Sequence, residues 1–105
     1  MARVRQVLRT TCVTVSATPE VVAMLDGISA KRGMSRTAAV RTLMREAVER
    51  GVRDERRESV FSGKESITVN VDSEERAGFQ KIAKRWRLSM AGAIRWLIVD
   101  EAKRK

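Results

Sequence analysis

Two short stretches of the chain alternate between apolar and small or polar side chains, Cys12 to Ala17 and Ser66 to Val71. The odd positions Val13, Val15, Ala17, Ile67, Val69 and Val71 are apolar, and the even positions Cys12, Thr14, Ser16, Ser66, Thr68 and Asn70 are small or polar. Period two with β-branched residues predicts half-buried strands. After each stretch the period changes to that of a helix. Thr18-Pro19-Glu20 opens the first helix, with Thr18 as N-cap and Pro19 at the first helical position. Val22, Leu25 and Ile28 are its expected buried face. Asp72 caps the corresponding later helix, with Glu75 as capping-box partner and Phe79 and Ile82 on the inner face. Arg32-Gly33-Met34 and Trp86-Arg87-Leu88 end these helices, the second without the glycine that makes a left-handed stop easy. Ser35 and Ser89 then cap two further helices. These present Ala39, Val40, Leu43, Met44 and Ala47, and Ala93, Ile94, Leu97 and Ile98.

The pattern repeats because the chain does. A shift of 54 residues aligns the sequence with itself without a gap. Val13-Thr14-Val15-Ser16 lies over Ile67-Thr68-Val69-Asn70, and Glu20, Ala23 and Ile28 over Glu74, Ala77 and Ile82. Ser35, Ala39, Arg41 and Leu43 lie over Ser89, Ala93, Arg95 and Leu97. The matches fall mostly at apolar and capping positions, which is what a repeated fold leaves behind. The expected organisation is a basic arm (1–11), a first repeat (12–51), a linker (52–65) and a second repeat (66–105). Each repeat has one strand, which cannot satisfy its own backbone groups. Antiparallel pairing of Cys12–Ala17 with Ser66–Val71 solves this, and the linker, reaching about 45 Å when extended, is long enough to allow it. The expected fold class is therefore mainly α with a short β-ribbon. The two repeats form an intramolecular pseudo-dimer, a two-stranded antiparallel ribbon over four helices.

Charge turns this architecture toward a partner. Of 105 residues, 22 are Lys or Arg and 13 Asp or Glu, a formal net charge of +9. The arm carries +3, the first repeat +2, the linker 0 and the second repeat +4. An anionic partner, first of all nucleic acid, is expected. A two-stranded ribbon has the width of the DNA major groove. One cysteine and no histidine leave no cysteine metal cluster and remove the commonest general base. No phosphate-cradling glycine loop or metal-ligand spacing is present, so no enzyme, cofactor, metal or small-molecule substrate is expected. No apolar run approaches the roughly 20 residues that span a bilayer, and the basic N-terminus lacks a signal-peptide core, so a cytoplasmic location is expected without membrane association.

The Val-Thr-Val strand with its following Thr or Asp cap, and Gly33-Met34-Ser35-Arg36-Thr37-Ala38-Ala39-Val40-Arg41, resemble the ribbon-helix-helix superfamily, the Arc, MetJ and CopG group. The single-chain double occurrence resembles TraY-like conjugation accessory proteins. The resemblance covers residues 12–51 and 66–105. It implies base contacts from Cys12, Thr14, Ser16, Ser66, Thr68 and Asn70. It also implies phosphate contacts at the Met34-Ser35-Arg36 and Leu88-Ser89-Met90 corners, where helix-terminal amides and the helix dipole favour an anion. The ribbon departs from many members in carrying no Arg or Lys at those six positions, and Lys64 joins the face only if the second strand starts early. Lys64 is a further candidate phosphate contact, and Arg3, Arg5 and Arg9 are candidate phosphate or minor-groove contacts, with a plain terminal tail as the alternative for the arm.

The function implied is site-specific binding of double-stranded DNA, as a transcriptional repressor or a conjugation (relaxosome) accessory factor. An antitoxin-type or scaffolding interaction module is the competing reading. A possible self-association surface on adjacent DNA-bound molecules is Trp86, Trp96 and Val99. These replace Arg32, Thr42 and Arg45 of the first repeat, positions expected to face outward. The alternative is that the two Trp rings close over the edge of the core.

Overall fold

The computed structural model describes residues 10–51 and 62–104. In order along the chain these form β1 (Thr10–Ala17), α1 (Pro19–Arg32), α2 (Arg36–Arg50), β2 (Glu65–Asp72), α3 (Ser73–Trp86) and α4 (Met90–Arg104). The fold is mainly helical with a two-stranded antiparallel sheet. The two strands pair with Thr10 opposite Asp72, Thr14 opposite Thr68 and Ala17 opposite Glu65. Each strand is longer than the alternation predicts, because Thr10, Thr11, Glu65 and Asp72 extend the ladder.

Local chemistry sets the helix ends. The Thr18 hydroxyl accepts from the Val21 amide, with Pro19 next in the first turn. Asp72 and Glu75 form a reciprocal capping box at the start of α3, at 2.7 and 3.1 Å. α1 ends in a left-handed residue, Gly33 (φ 66°, ψ 41°), and Met34 donates back to the Ser29 carbonyl at 3.0 Å. α3 ends the same way without glycine: Arg87 holds φ 60° and ψ 42°, and Leu88 donates to Ala83 at 2.9 Å. Ser35 and Ser89 accept from the amides of Ala38 and Gly92. Gly63 runs against the end of β1, where a Cβ would stand 2.5 Å from the Ala17 carbonyl oxygen, so only glycine fits as the chain returns to the ribbon.

One core lies beneath the ribbon. Val15, Ala17, Ile67, Val69 and Val71 of the strands are buried with Leu25, Val40, Leu43, Met44, Phe79, Ile94, Leu97 and Ile98 of the helices. Two expectations about the core are corrected. On α1 the buried valine is Val21, and Val22 is half-buried at the edge. Trp86, expected to face outward, is 1% exposed, the largest fully buried side chain. Phe79 meets it edge-on at 6.4 Å and Trp96 tilts over it at 4.9 Å. Trp96 and Val99 are half-buried and pack on the core. The rings therefore close the core edge, and no outward patch of three remains. Among the described residues no helix is long and apolar enough to cross a membrane.

Candidate nucleic-acid interface

The alternation that buries Val15, Ala17, Ile67, Val69 and Val71, and half-buries Val13, turns the even residues between them out. Cys12, Thr14, Ser66, Thr68 and Asn70 are exposed and Ser16 is half-buried. Across the ribbon Cys12 faces Asn70, Thr14 faces Thr68 and Ser16 faces Ser66. The six expected readers thus form one continuous face, three side chains long and two wide. It is uncharged and offers hydroxyls, one amide, one thiol and the threonine methyls. Lys64 does not join it: β2 begins at Glu65, and Lys64 is exposed just before the strand.

Both ribbon edges are tied to a helix. The Thr37 hydroxyl in the first turn of α2 donates to the Thr68 carbonyl at 3.3 Å. The Arg95 guanidinium of α4 donates to the Ser16 carbonyl at 2.8 Å, and burial lowers the pKa of Arg95 from its ordinary value. Carbonyls pointing out of the edges mark Thr14–Thr68 and Ser16–Ser66 as the non-hydrogen-bonded pairs, whose side chains stand closest together. Capping of exposed carbonyls also blunts the edges against further strands.

The two expected phosphate corners flank this face through those ties. Ser35 and Met34 stand before the first turn of α2, and Leu88, Ser89 and Met90 at the start of α4. The amides of the first turn have no carbonyl of their own helix to bond, apart from those that the serine caps take up. The surroundings of the corners differ. Arg36 makes a bidentate ion pair with Asp26 of α1, with Nη2–Oδ2 at 2.9 Å, and both side chains are about half exposed. The Arg36 hydrogen bonds hold the Asp26 carboxyl below its ordinary pKa, and Asp26 raises that of Arg36. Arg36 is thus held by a carboxylate beside the corner.

Sequence reading misses the ion pairs that join the repeats. Arg41 of α2 reaches Glu75 of α3 at 2.9 Å, with Arg45 further out at 3.7 Å. Arg32 bridges Glu46 of α2 and Glu101 of α4 at 3.0 and 2.9 Å, and both carboxylates raise its pKa. The 54-residue shift carries Glu75 to Val21 and Glu101 to Ala47, so comparing the repeats gives no signal for either pair. Arg3, Arg5 and Arg9, and most of the expected linker, lie outside the described residues.

No family model matches this chain, and no curated protein or solved structure matches it.

Proposed function

We propose that this chain is a site-specific DNA-binding protein that inserts the β1–β2 ribbon into the major groove of duplex DNA. In this reading it is two ribbon-helix-helix units in one chain, a pseudo-dimer whose ribbon takes one strand from each unit. The observation that carries the reading is the outer face made by Cys12, Thr14, Ser16, Ser66, Thr68 and Asn70, uncharged and exposed except for the half-buried Ser16, with the core on its other side. A two-stranded ribbon fits the groove, Asn70 suits adenine and the threonine methyls suit thymine methyls. The helix bounds support the tandem arrangement: α3 and α4 begin and end 54 residues after α1 and α2. The net charge of +9 supplies the sequence-independent attraction. Repression and a conjugation accessory role use the same interface, and neighbouring genes distinguish them.

Selection on random duplexes followed by titration of the preferred site tests this. Thr68→Ala and Asn70→Ala relax the preference, each by about 1–3 kcal/mol at its own base pair, with non-specific binding little changed. The preferred site is an imperfect inverted repeat. The shift places Cys12 over Ser66 and Ser16 over Asn70, so the halves of the face are not alike. Equal loss of specific and non-specific binding in both variants would overturn the mechanism.

A further inference from the structure

The two flanks of the ribbon are built on equivalent helices but carry different charge. On α1, Asp26 meets Arg36 of the α2 corner, and Gly27, Ala30 and the capping Gly33 follow it along the chain. The 54-residue shift replaces them on α3 with Gln80, Lys81, Lys84 and Arg87. The exchange removes one carboxylate and adds three cations. Gln80, Lys81 and Lys84 line a cleft with Ala77, Leu88 and Met90, between α3 and the start of α4. Lys81, Lys84 and Arg87 are all exposed. In the first repeat the place of this open basic cleft holds the Arg36–Asp26 ion pair. The shift puts Met90 where Arg36 stands, so no such pair forms in the second repeat.

We infer that the α3–α4 cleft is the principal DNA-backbone contact. Lys81, Lys84 and Arg87 there hold phosphates on one side of the recognised site, so the protein grips its DNA lopsidedly. This rests on the DNA-binding reading of the ribbon. The cleft stands where a backbone would pass. Met90 is five residues before Arg95, about 7.5 Å of helix rise, and Arg95 touches the Ser16 carbonyl at the ribbon edge. A ribbon seated in the groove brings the phosphates bordering it to that distance. The neutralised α1–α2 flank offers the other backbone far less charge. Orientation on the site is then set by the flanks as well as by the bases.

The test is titration of a short labelled duplex with the full chain over a range of salt concentrations. The double variant Lys81→Gln/Lys84→Gln lowers the slope of log affinity against log salt by about 0.9 for each phosphate no longer neutralised. It weakens preferred and unrelated duplexes alike. The converse variant, Gly27→Lys/Ala30→Lys, adds the missing cations to α1. Both positions are exposed, and a Cβ at Gly27 meets nothing within 4 Å. It steepens the slope and makes an uneven backbone footprint more even. An unchanged slope in the glutamine variant, while Asn70→Ala still alters base preference, overturns the cleft assignment and leaves the ribbon reading standing. Failure of the wild-type chain to bind any duplex overturns both. So does binding to anionic vesicles but not to duplexes that depends on the same lysines.

Discussion

Thr14 and Thr68 stand directly opposite one another on the ribbon, and they are also the residues that the 54-residue shift superposes. The strand register therefore has its centre where the sequence repeat has its own. A pair of this kind brings its Cα atoms to about 4.5 Å, within the range a disulfide spans. In a Cys12→Ser background, Thr14→Cys/Thr68→Cys should oxidise to an intrachain cross-link that runs as a compact monomer on a non-reducing gel. Cross-linked dimers alone would mean that the strands pair between chains.

The aromatic lid separates two tryptophans that look alike in the sequence. Trp86 is buried under Trp96 and against Phe79. Trp86→Ala should cost about 3–5 kcal/mol in urea unfolding, the cost of emptying a large aromatic site. Trp96→Thr removes a half-buried ring and should cost distinctly less. Equal losses would contradict the layering.

The Arg36–Asp26 pair should act as a charge screen over the α2 corner. Asp26→Asn frees Arg36 and removes an anion, so non-specific DNA affinity should rise and the salt slope steepen by up to about 0.9. Acid should act in the same direction. A carboxyl whose folded pKa lies below its unfolded value, about 3.9, stabilises the fold above that value and loses the contribution as pH falls through the folded pKa. The screen is thus intact at neutral pH. A salt slope unchanged in Asp26→Asn would show that the pair does not face DNA.

Arg87 sets stability against binding. Its φ of 60° costs a residue with a Cβ about 1 kcal/mol or more, and the equivalent Gly33 avoids that strain. Arg87→Gly should raise the unfolding midpoint while weakening binding to all duplexes. A rise in both stability and affinity would show that the arginine makes no backbone contact.

Much of this architecture is legible in the sequence because it is set by local chemistry. Period-two alternation marks the strands, and Thr18, Asp72, Ser35 and Ser89 announce their helices by hydrogen bonds spanning three residues. What stays hidden depends on tertiary docking. Val21 and Val22 are adjacent and equally apolar, and only the angle at which α1 meets the ribbon decides between them. The repeat misleads there, since Val21 aligns with Glu75, which the second repeat turns to the Arg41 guanidinium. Trp86 misleads similarly. Its counterpart Arg32 lies at the rim of the same core with its charge on two carboxylates, so a polar residue there does not mean an open surface. The outward ribbon face is readable in full. The pairing of Arg36 with Asp26 is not, because ten residues and a helix turn separate them.

Because both ribbon strands belong to one polypeptide, assembly of the ribbon is a first-order step. A ribbon shared between two separate chains falls apart when its subunits are scarce, and such a protein is active only above a threshold of abundance. Under the DNA-binding reading proposed above, occupancy of a sparsely filled site follows protein number in direct proportion, with no threshold for subunit assembly.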